Sequence, residues 1–271
     1  MFEFCSLASG SSGNSSVLGV GGEYSLIDAG LSLKKIEEHL RAQNIAPEKI
    51  QRLFLTHAHT DHAKSAGLFA RKYQVPLCLT RATFQALKNF KDEDLSDCPL
   101  HFLGKHEQFG ELKLKIFPLP HLGHNLDGKD EAGGTIGFLF QAVGYRAGYF
   151  TDLGTMPEYI LKEIHDCDFL FLEANHDVRW EKVSRRPARV IERNLSDFGH
   201  LSNEQAARIV ERVVKKGGRT QAVMLAHISR ECNSHELIKK AFKKILPDGF
   251  GEERLLFALE GRCSEYVTLA R

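Results

Sequence analysis

The chain has 271 residues, of which 42% are hydrophobic and 26% are charged, and this composition excludes an intrinsically disordered protein. Its 36 basic and 35 acidic side chains give a net charge of +1, which argues against a polycation that coats nucleic acid through bulk charge. The length suits one domain with a sizeable core, and we expect residues 1–271 to form a single domain.

The first third of the chain alternates between predicted strands and helices. Buried strands are predicted at residues 24–29, 52–56 and 75–80, and helices at 68–72 and 82–89. Ser32 is expected to cap a helix that buries one face, formed by Leu33, Ile36 and Leu40. This part of the sequence therefore predicts an α/β arrangement.

The second half continues the pattern with more strands. Strands are predicted at residues 111–117, 135–141, 145–151, 168–173 and 221–226. A hairpin turn is expected at Val143-Gly144, and Ser202 begins an SNEQ capping box for a helix that ends at Gly217-Gly218. Mixed strands with helices between them predict two sheets covered by helices.

Six cysteines are spread along the chain without a CxxC pair, which is typical of buried thiols in a reducing compartment. The N-terminal segment lacks the basic region, apolar core and cleavage site of a signal peptide. No apolar run reaches the roughly 18 residues that a membrane span needs. We therefore expect a cytoplasmic protein with no membrane partner, and the sequence leaves its oligomeric state open.

Four side chains that can bind metal lie within six residues, directly after the predicted strand at 52–56: His57, His59, Asp61 and His62. His57 and His59 alternate along the chain, so an extended backbone projects both to one side. Asp61 and His62 follow after a turn and can face a second point. Burial of so many titratable groups is costly unless a metal or ion pairs compensate for it, so the cluster predicts a site for two metal ions.

The segment THAHTDH at 56–62 is the HxHxDH signature of the metallo-β-lactamase superfamily, and the chain resembles this family. The resemblance implies a four-layer αβ/βα sandwich of the α/β (α+β) class, with a dinuclear metal site at one edge of the sheets. It also implies a hydrolase, and two divalent ions as cofactors. Zn²⁺ suits the histidine-rich set best, and Mn²⁺ or iron is compatible with its aspartates.

The other ligands that the resemblance implies each follow an apolar strand. The first metal would take His57, His59 and His121, the second would take Asp61, His62 and His227, and Asp152 would bridge them. His124 lies three residues after His121 and could take its place. Asp28 would support the site by contacting a ligand without binding metal itself.

Several segments resemble the YycJ/WalJ group of exonucleases, which is similar to tRNase Z and to phosphodiesterases. These segments are residues 7–16, 26–40, 172–177, 199–203 and 225–233. Glu173 and His200 match the two motifs of a dyad in tRNase Z, which implies that Glu173 orients His200 and that His200 protonates the leaving group. Asp61 is counted with them in the catalytic set. His176 would either support the site or make structural hydrogen bonds.

The segment 178–195 carries six Arg or Lys against two Glu and joins the two halves of the expected dyad. We expect it at the rim of the site, with Arg185 and Arg186 contacting phosphate and Trp180 stacking on a base. Ser202 is a further candidate for substrate binding. The alternative is an ordinary solvated helix. The SGSSGN segment at 9–14 is interpreted as a tight turn between strands, because GxxG patterns are common.

Two departures bear on the substrate. Leu122 stands where the YycJ/WalJ group usually has an acid, and His227 follows Asp152 by only 75 positions, which leaves no room for a β-CASP cap.

The sequence predicts a dinuclear metal-dependent phosphodiesterase, a nuclease that cleaves DNA or RNA with metal-bound hydroxide. The alternatives are a hydrolase of another ester class (thioesterase or lactonase) and a non-catalytic, metal-stabilised protein that binds nucleic acid.

Overall fold

The computed structural model describes residues 1–91, 95–121, 134–215, 219–246 and 250–269. The candidate ligand His124, the residue Leu122 and the predicted helix end at Gly217-Gly218 lie outside these residues.

Within the described ranges the strands, in chain order, are β1 (Phe2–Ala8), β2 (Ser15–Val20), β3 (Glu23–Ile27), β4 (Ile50–Phe54), β5 (Leu77–Leu79), β6 (Leu100–Phe102), β7 (His106–Phe109), β8 (Leu112–Pro118), β9 (Ile136–Ala142), β10 (Tyr145–Phe150), β11 (Phe169–Glu173), β12 (Ala222–Ala226), β13 (Leu255–Phe257) and β14 (Val267–Leu269). The helices are α1 (Leu33–Ala42), α2 (Thr60–Ala63), α3 (Ala66–Tyr73), α4 (Arg81–Lys91), α5 (Glu158–Ile164), α6 (Val178–Lys182), α7 (Ala188–Asn194), α8 (Asn203–Lys215) and α9 (His235–Ile245).

The strands form two seven-stranded sheets, ordered β14-β1-β2-β3-β4-β5-β6 and β13-β12-β11-β10-β9-β8-β7. Their facing surfaces bury a shared apolar layer rich in aromatic rings, in which Tyr149 stacks on Phe171 at 4.6 Å between ring centroids. Helices α1, α3 and α4 cover the outside of the first sheet, and α5, α8 and α9 cover the outside of the second. The predicted four-layer αβ/βα sandwich is confirmed.

Local sequence explains several element boundaries. Ser32 Oγ accepts the N–H of Lys35 at the start of α1. At the start of α8, the Ser202 N–H donates to Gln205 Oε1 at 2.9 Å and the Gln205 N–H donates to Ser202 Oγ at 3.3 Å, so the predicted capping box forms. Val143 and Gly144 both have positive φ, as the predicted tight hairpin turn between β9 and β10 requires.

The topology brings one set of strand ends together. Strands β3 and β4 run parallel in the first sheet, and β10, β11 and β12 run parallel in the second. The chain that leaves these five strands carries most of the candidate ligands. None of the described helices has the length and apolar character needed to span a membrane.

Candidate metal centre

Three candidate site residues at strand ends have left-handed backbones. Asp28, Asp152 and His227 follow β3, β10 and β12 with φ values of 58°, 58° and 52°. For residues other than glycine such a conformation costs about 1–3 kcal/mol and persists only where the surroundings fix it. The conformation turns each chain sharply at the end of its strand, where the side chains converge.

The histidine-rich segment follows β4. The rings of His57 and His59 lie 4.4 Å apart, and the short helix α2 then carries Asp61 and His62. Gly30 permits this arrangement, because a Cβ atom there would lie 1.6 Å from the carbonyl oxygen of Asp61. The two halves of the motif therefore occupy different backbone geometries, as the sequence predicted.

The candidate ligands form compact groups whose donor atoms lie within 4.8 Å of one another. The groups found among the described residues are His57, His59, His121 and Asp152; Asp61, His62 and His227; and Asp152, Glu173, His200 and His227. Asp152 belongs to two of them and contacts the remaining one, because its Oδ2 lies 3.2 Å from His62 Nε2. This buried carboxylate thus lies between the two sets of ligands that the sequence analysis expected.

The ring nitrogens of four histidines show how a metal would fit. Each Nδ1 lies against a protein oxygen: His57 against Thr56 Oγ1 (3.0 Å), His62 against Asp28 Oδ2 (2.7 Å), His121 against the carbonyl of Gly199 (2.9 Å) and His227 against Glu173 Oε1 (2.8 Å). Metal-binding histidines are usually held this way, with the other nitrogen left for the ion.

One buried atom tests this fit directly. His57 Nε2 is buried and has no hydrogen-bond partner in the described part of the chain. Such an atom is costly unless something binds it. Together with neighbouring imidazole and carboxylate donors, it makes the residues suitable for divalent metal.

Two of the histidines are poised to be neutral. Burial lowers the pKa of His121 to about 4 and the pKa of His57 well below its ordinary value of 6.5. A neutral imidazole is the form that binds metal, so these two side chains need no deprotonation at neutral pH.

His62 and His227 have the opposite behaviour in the metal-free protein. Burial disfavours their charged forms, but Asp152 and other nearby carboxylates outweigh it and raise both pKa values well above 6.5. Asp28 and Asp61 act on His62, whereas Glu173 and Asp61 act on His227. Both imidazoles therefore carry a proton at pH 7 until a cation replaces it.

We accordingly expect metal uptake at pH 7 to release about two protons, one from His62 and one from His227. Because protons and metal compete for the same nitrogens, metal affinity should fall as pH falls. Calorimetric titration of the metal-free protein in two buffers of different ionisation enthalpy measures the proton count. Uptake without proton release, or with affinity independent of pH between 6 and 8, would contradict this account.

Glu173 and His200 are brought together as the sequence suggested, with one addition. Glu173 Oε1 lies 2.8 Å from His200 Nδ1 and also 2.8 Å from His227 Nδ1. Its Oε2 accepts the backbone N–H groups of Leu153 and Leu201. Burial favours the neutral acid, but the two histidines outweigh burial and lower the pKa of Glu173 to about 2, so the carboxylate stays charged.

His176 and Ser202 are not brought to the cavity that the metal groups border. His176 is buried, and its backbone pairs with Ser202 in an isolated β-bridge. The Ser202 hydroxyl donates to Gln205 Oε1 at 2.7 Å as part of the cap of α8. The structure therefore gives both residues structural contacts.

The cavity beside the candidate ligands has a volume of about 320 Å³. Its lining includes His59, Asp61, His121, Asp152, His200 and His227 from the centre, and Ser11, Asn175, Arg186, Val190, Arg193, Asn194 and Ser229 around them. Of the predicted rim residues, Arg186 lines the cavity. Trp180 and Arg185 are exposed on the surface and do not belong to this lining.

Asn14 contacts two candidate ligands and was not predicted from the sequence. Its Nδ2 lies 3.0 Å from His62 Nε2 and 3.3 Å from Asp61 Oδ2, and its Oδ1 accepts the Ser9 hydroxyl and the Gly10 N–H. The loop at 9–14 is a turn between β1 and β2, as interpreted, but it also contacts two candidate ligands. A polar residue at the end of a Gly/Ser loop after a buried strand is the signal that could have indicated this contact.

The chain is similar to known proteins both in sequence and in fold. Residues 24–228 match the family model described as the beta-lactamase superfamily domain. The exodeoxyribonuclease WalJ of Streptococcus pneumoniae is 35% identical over 239 residues, which cover 87% of this chain and 85% of WalJ. The exodeoxyribonuclease YycJ of Bacillus anthracis is 30% identical over 250 residues, which cover 92% of this chain and 90% of YycJ. The fold is similar to that of YhfI from Bacillus subtilis, a metallo-β-lactamase fold protein, with a TM-score of 0.71 at 15% identity over 98% of this chain and 100% of YhfI.

Proposed function

The chain belongs to the beta-lactamase superfamily, in the group that contains WalJ and YycJ, and from this premise we propose that it is a metal-dependent exodeoxyribonuclease. The observation that carries the proposal is the position of Asp152 between two sets of metal-binding side chains, with the Glu173–His200 pair beside them. The names of the relatives favour DNA over RNA as the substrate. Zn²⁺ is the first choice for two bound ions, and Mn²⁺ or iron is the alternative.

The metal ligands would be the seven members of two of these three groups: His57, His59, His121 and Asp152 in one, and Asp61, His62 and His227 in the other. Divalent ions held there would activate water and neutralise charge on the phosphate oxygens. The cavity beside them is lined by side chains of several elements, so a phosphodiester can be held against the centre from more than one direction.

His200 supplies the proton that the leaving oxygen needs. Its Nδ1 is held by the charged Glu173, which leaves Nε2 as the atom that can donate within the cavity. Glu173 is itself fixed by the two backbone N–H groups that bind Oε2. The carboxylate therefore orients His200.

The shared apolar layer between the sheets supports a single domain over residues 1–271. A cytoplasmic location is proposed on the six cysteines, which are free thiols and of which five are buried.

The test is hydrolysis of end-labelled DNA and RNA, single- and double-stranded, by protein loaded with Zn²⁺ or Mn²⁺. We expect stepwise shortening of DNA from an end and hydrolysis of bis-p-nitrophenyl phosphate, with His57→Ala protein as the inactive control. Cleavage of a thioester without cleavage of either phosphodiester would favour the other ester class. DNA binding without cleavage under any divalent ion would favour the non-catalytic alternative.

A further inference from the structure

Part of the cavity lining comes from α7 and the loop before it, and this part carries two arginines. Arg186 and Arg193 both line the cavity. A guanidinium beside a phosphodiester centre can bind phosphate only if its charge and its N–H groups are available. The two arginines differ in this respect.

The charge and N–H groups of Arg186 are taken up by contacts within the protein. The guanidinium lies 3.0 Å from the buried carboxylate of Glu181 and 3.1 Å from Glu231, and it also donates to the Ser229 hydroxyl at 3.0 Å. Two carboxylates thus compensate one cation. Because Glu181 is fully buried, its charge needs this partner, and Arg186 serves to hold the wall in place.

The charge and N–H groups of Arg193 are available to bind phosphate. Arg193 is exposed, and no carboxylate among the described residues pairs with it; its side chain there makes only a long contact of 3.5 Å with Asn194 Oδ1. It therefore presents an uncompensated cation to the cavity.

The backbone at the end of α7 contacts the segment that carries Gly199 and His200. The His200 N–H donates to the carbonyl of Asn194 at 3.1 Å, and a Cβ atom on Gly199 would lie 2.1 Å from the carbonyl oxygen of Arg193. The carbonyl of Gly199 in turn accepts from His121. Asn194 also donates to the buried Glu181 at 2.8 Å. Arg193 is thus built onto the same packed unit as His121 and His200.

From these contacts we propose that Arg193 binds the backbone phosphate that neighbours the scissile phosphodiester in a DNA substrate. The inference rests on the proposed nuclease function and names the residue that distinguishes a polynucleotide from a small diester. A small diester has no second phosphate, so the Arg193 contact contributes only to polymer substrates.

The test compares Arg193→Gln with Arg208→Gln, a control that removes an exposed arginine of α8 outside the cavity lining. We expect Arg193→Gln to lower kcat/KM on a DNA oligonucleotide roughly 10- to 100-fold, the value of one charge-assisted contact. Hydrolysis of bis-p-nitrophenyl phosphate and metal content should stay at wild-type levels. The slope of log kcat/KM against log salt concentration should become shallower by roughly 0.7–0.9. Arg193→Lys should recover part of the loss, and Arg208→Gln should resemble the wild type.

The outcomes distinguish a failure of the proposed nuclease function from a failure of the proposed role of Arg193. If the wild type hydrolyses the small diester but no DNA, the nuclease proposal fails and the Arg193 role falls with it. If the wild type cleaves DNA and Arg193→Gln matches it, or loses equally on both substrates, the Arg193 role alone is overturned.

Discussion

Asp152→Asn protein is expected to lose phosphodiester hydrolysis by a factor on the order of 10³ or more and to retain less bound metal than the wild type. The carboxylate lies between the two ligand sets, 3.2 Å from His62 Nε2, 3.5 Å from His227 Nε2 and 3.9 Å from His121 Nε2. Asparagine keeps the shape but removes the charge that would hold two cations close together. Metal analysis by mass spectrometry and initial rates on bis-p-nitrophenyl phosphate measure the two effects.

Asp97→Asn is the matched control, because Asp97 is an exposed carboxylate outside the cavity lining. It should leave both metal content and rate unchanged. Circular dichroism should show that Asp152→Asn protein keeps its helices and strands, so that the loss reflects the site. Full metal content with a rate within tenfold of the wild type would show that Asp152 does not join the two ligand sets.

His200→Ala protein is expected to be slower by roughly 10²- to 10⁴-fold while it keeps its metal, since general acid catalysis contributes about this much. The contact of His200 with Glu173 Oε1 is 2.8 Å, whereas its distance to the Asp152 carboxylate is 3.9 Å. Initial rates on end-labelled DNA and metal analysis by mass spectrometry measure the two effects.

Glu173→Gln separates the two histidines that share its carboxylate. Since Oε1 lies 2.8 Å from both His200 and His227, the amide should weaken metal binding as well as slow the reaction. His200→Ala should affect the rate alone. Loss of metal in His200→Ala protein would contradict the acid role of His200.

The sequence was most informative where chemistry and local pattern coincide. Four metal-binding side chains within six residues behind one strand indicate a metal site without any knowledge of the fold, because few other environments stabilise such a cluster. The capping box at Ser202 and the hairpin at Val143-Gly144 were predictable because they depend on residues that are close neighbours in sequence.

The rim was less predictable. Arg185 and Arg186 are adjacent in the sequence and look equivalent, but only Arg186 lines the cavity, and its charge is taken up by Glu181 and Glu231. Of the two arginines in the cavity lining, the one available to a ligand is Arg193, one of six basic residues in the segment. Composition gives the sign of the net charge of such a segment. Which of its cations are paired depends on the carboxylates that the fold places beside each one.

By itself, the sequence determined two sheets covered by helices and the residue types that can bind metal, since these follow from strand and helix periodicity and from a motif only seven residues long. The superfamily and its four-layer architecture were implied by the resemblance that this motif carries. Only the tertiary structure decided how these residues are connected. The Asn14 contact with His62 spans 48 positions and the Glu173 contact with His227 spans 54. The second contact involves the left-handed backbone of His227 at the end of β12, which no local pattern specifies. The physical reason is that a buried polar group is satisfied by whatever partner the packed chain brings to it, and that partner is set by the topology of the two sheets.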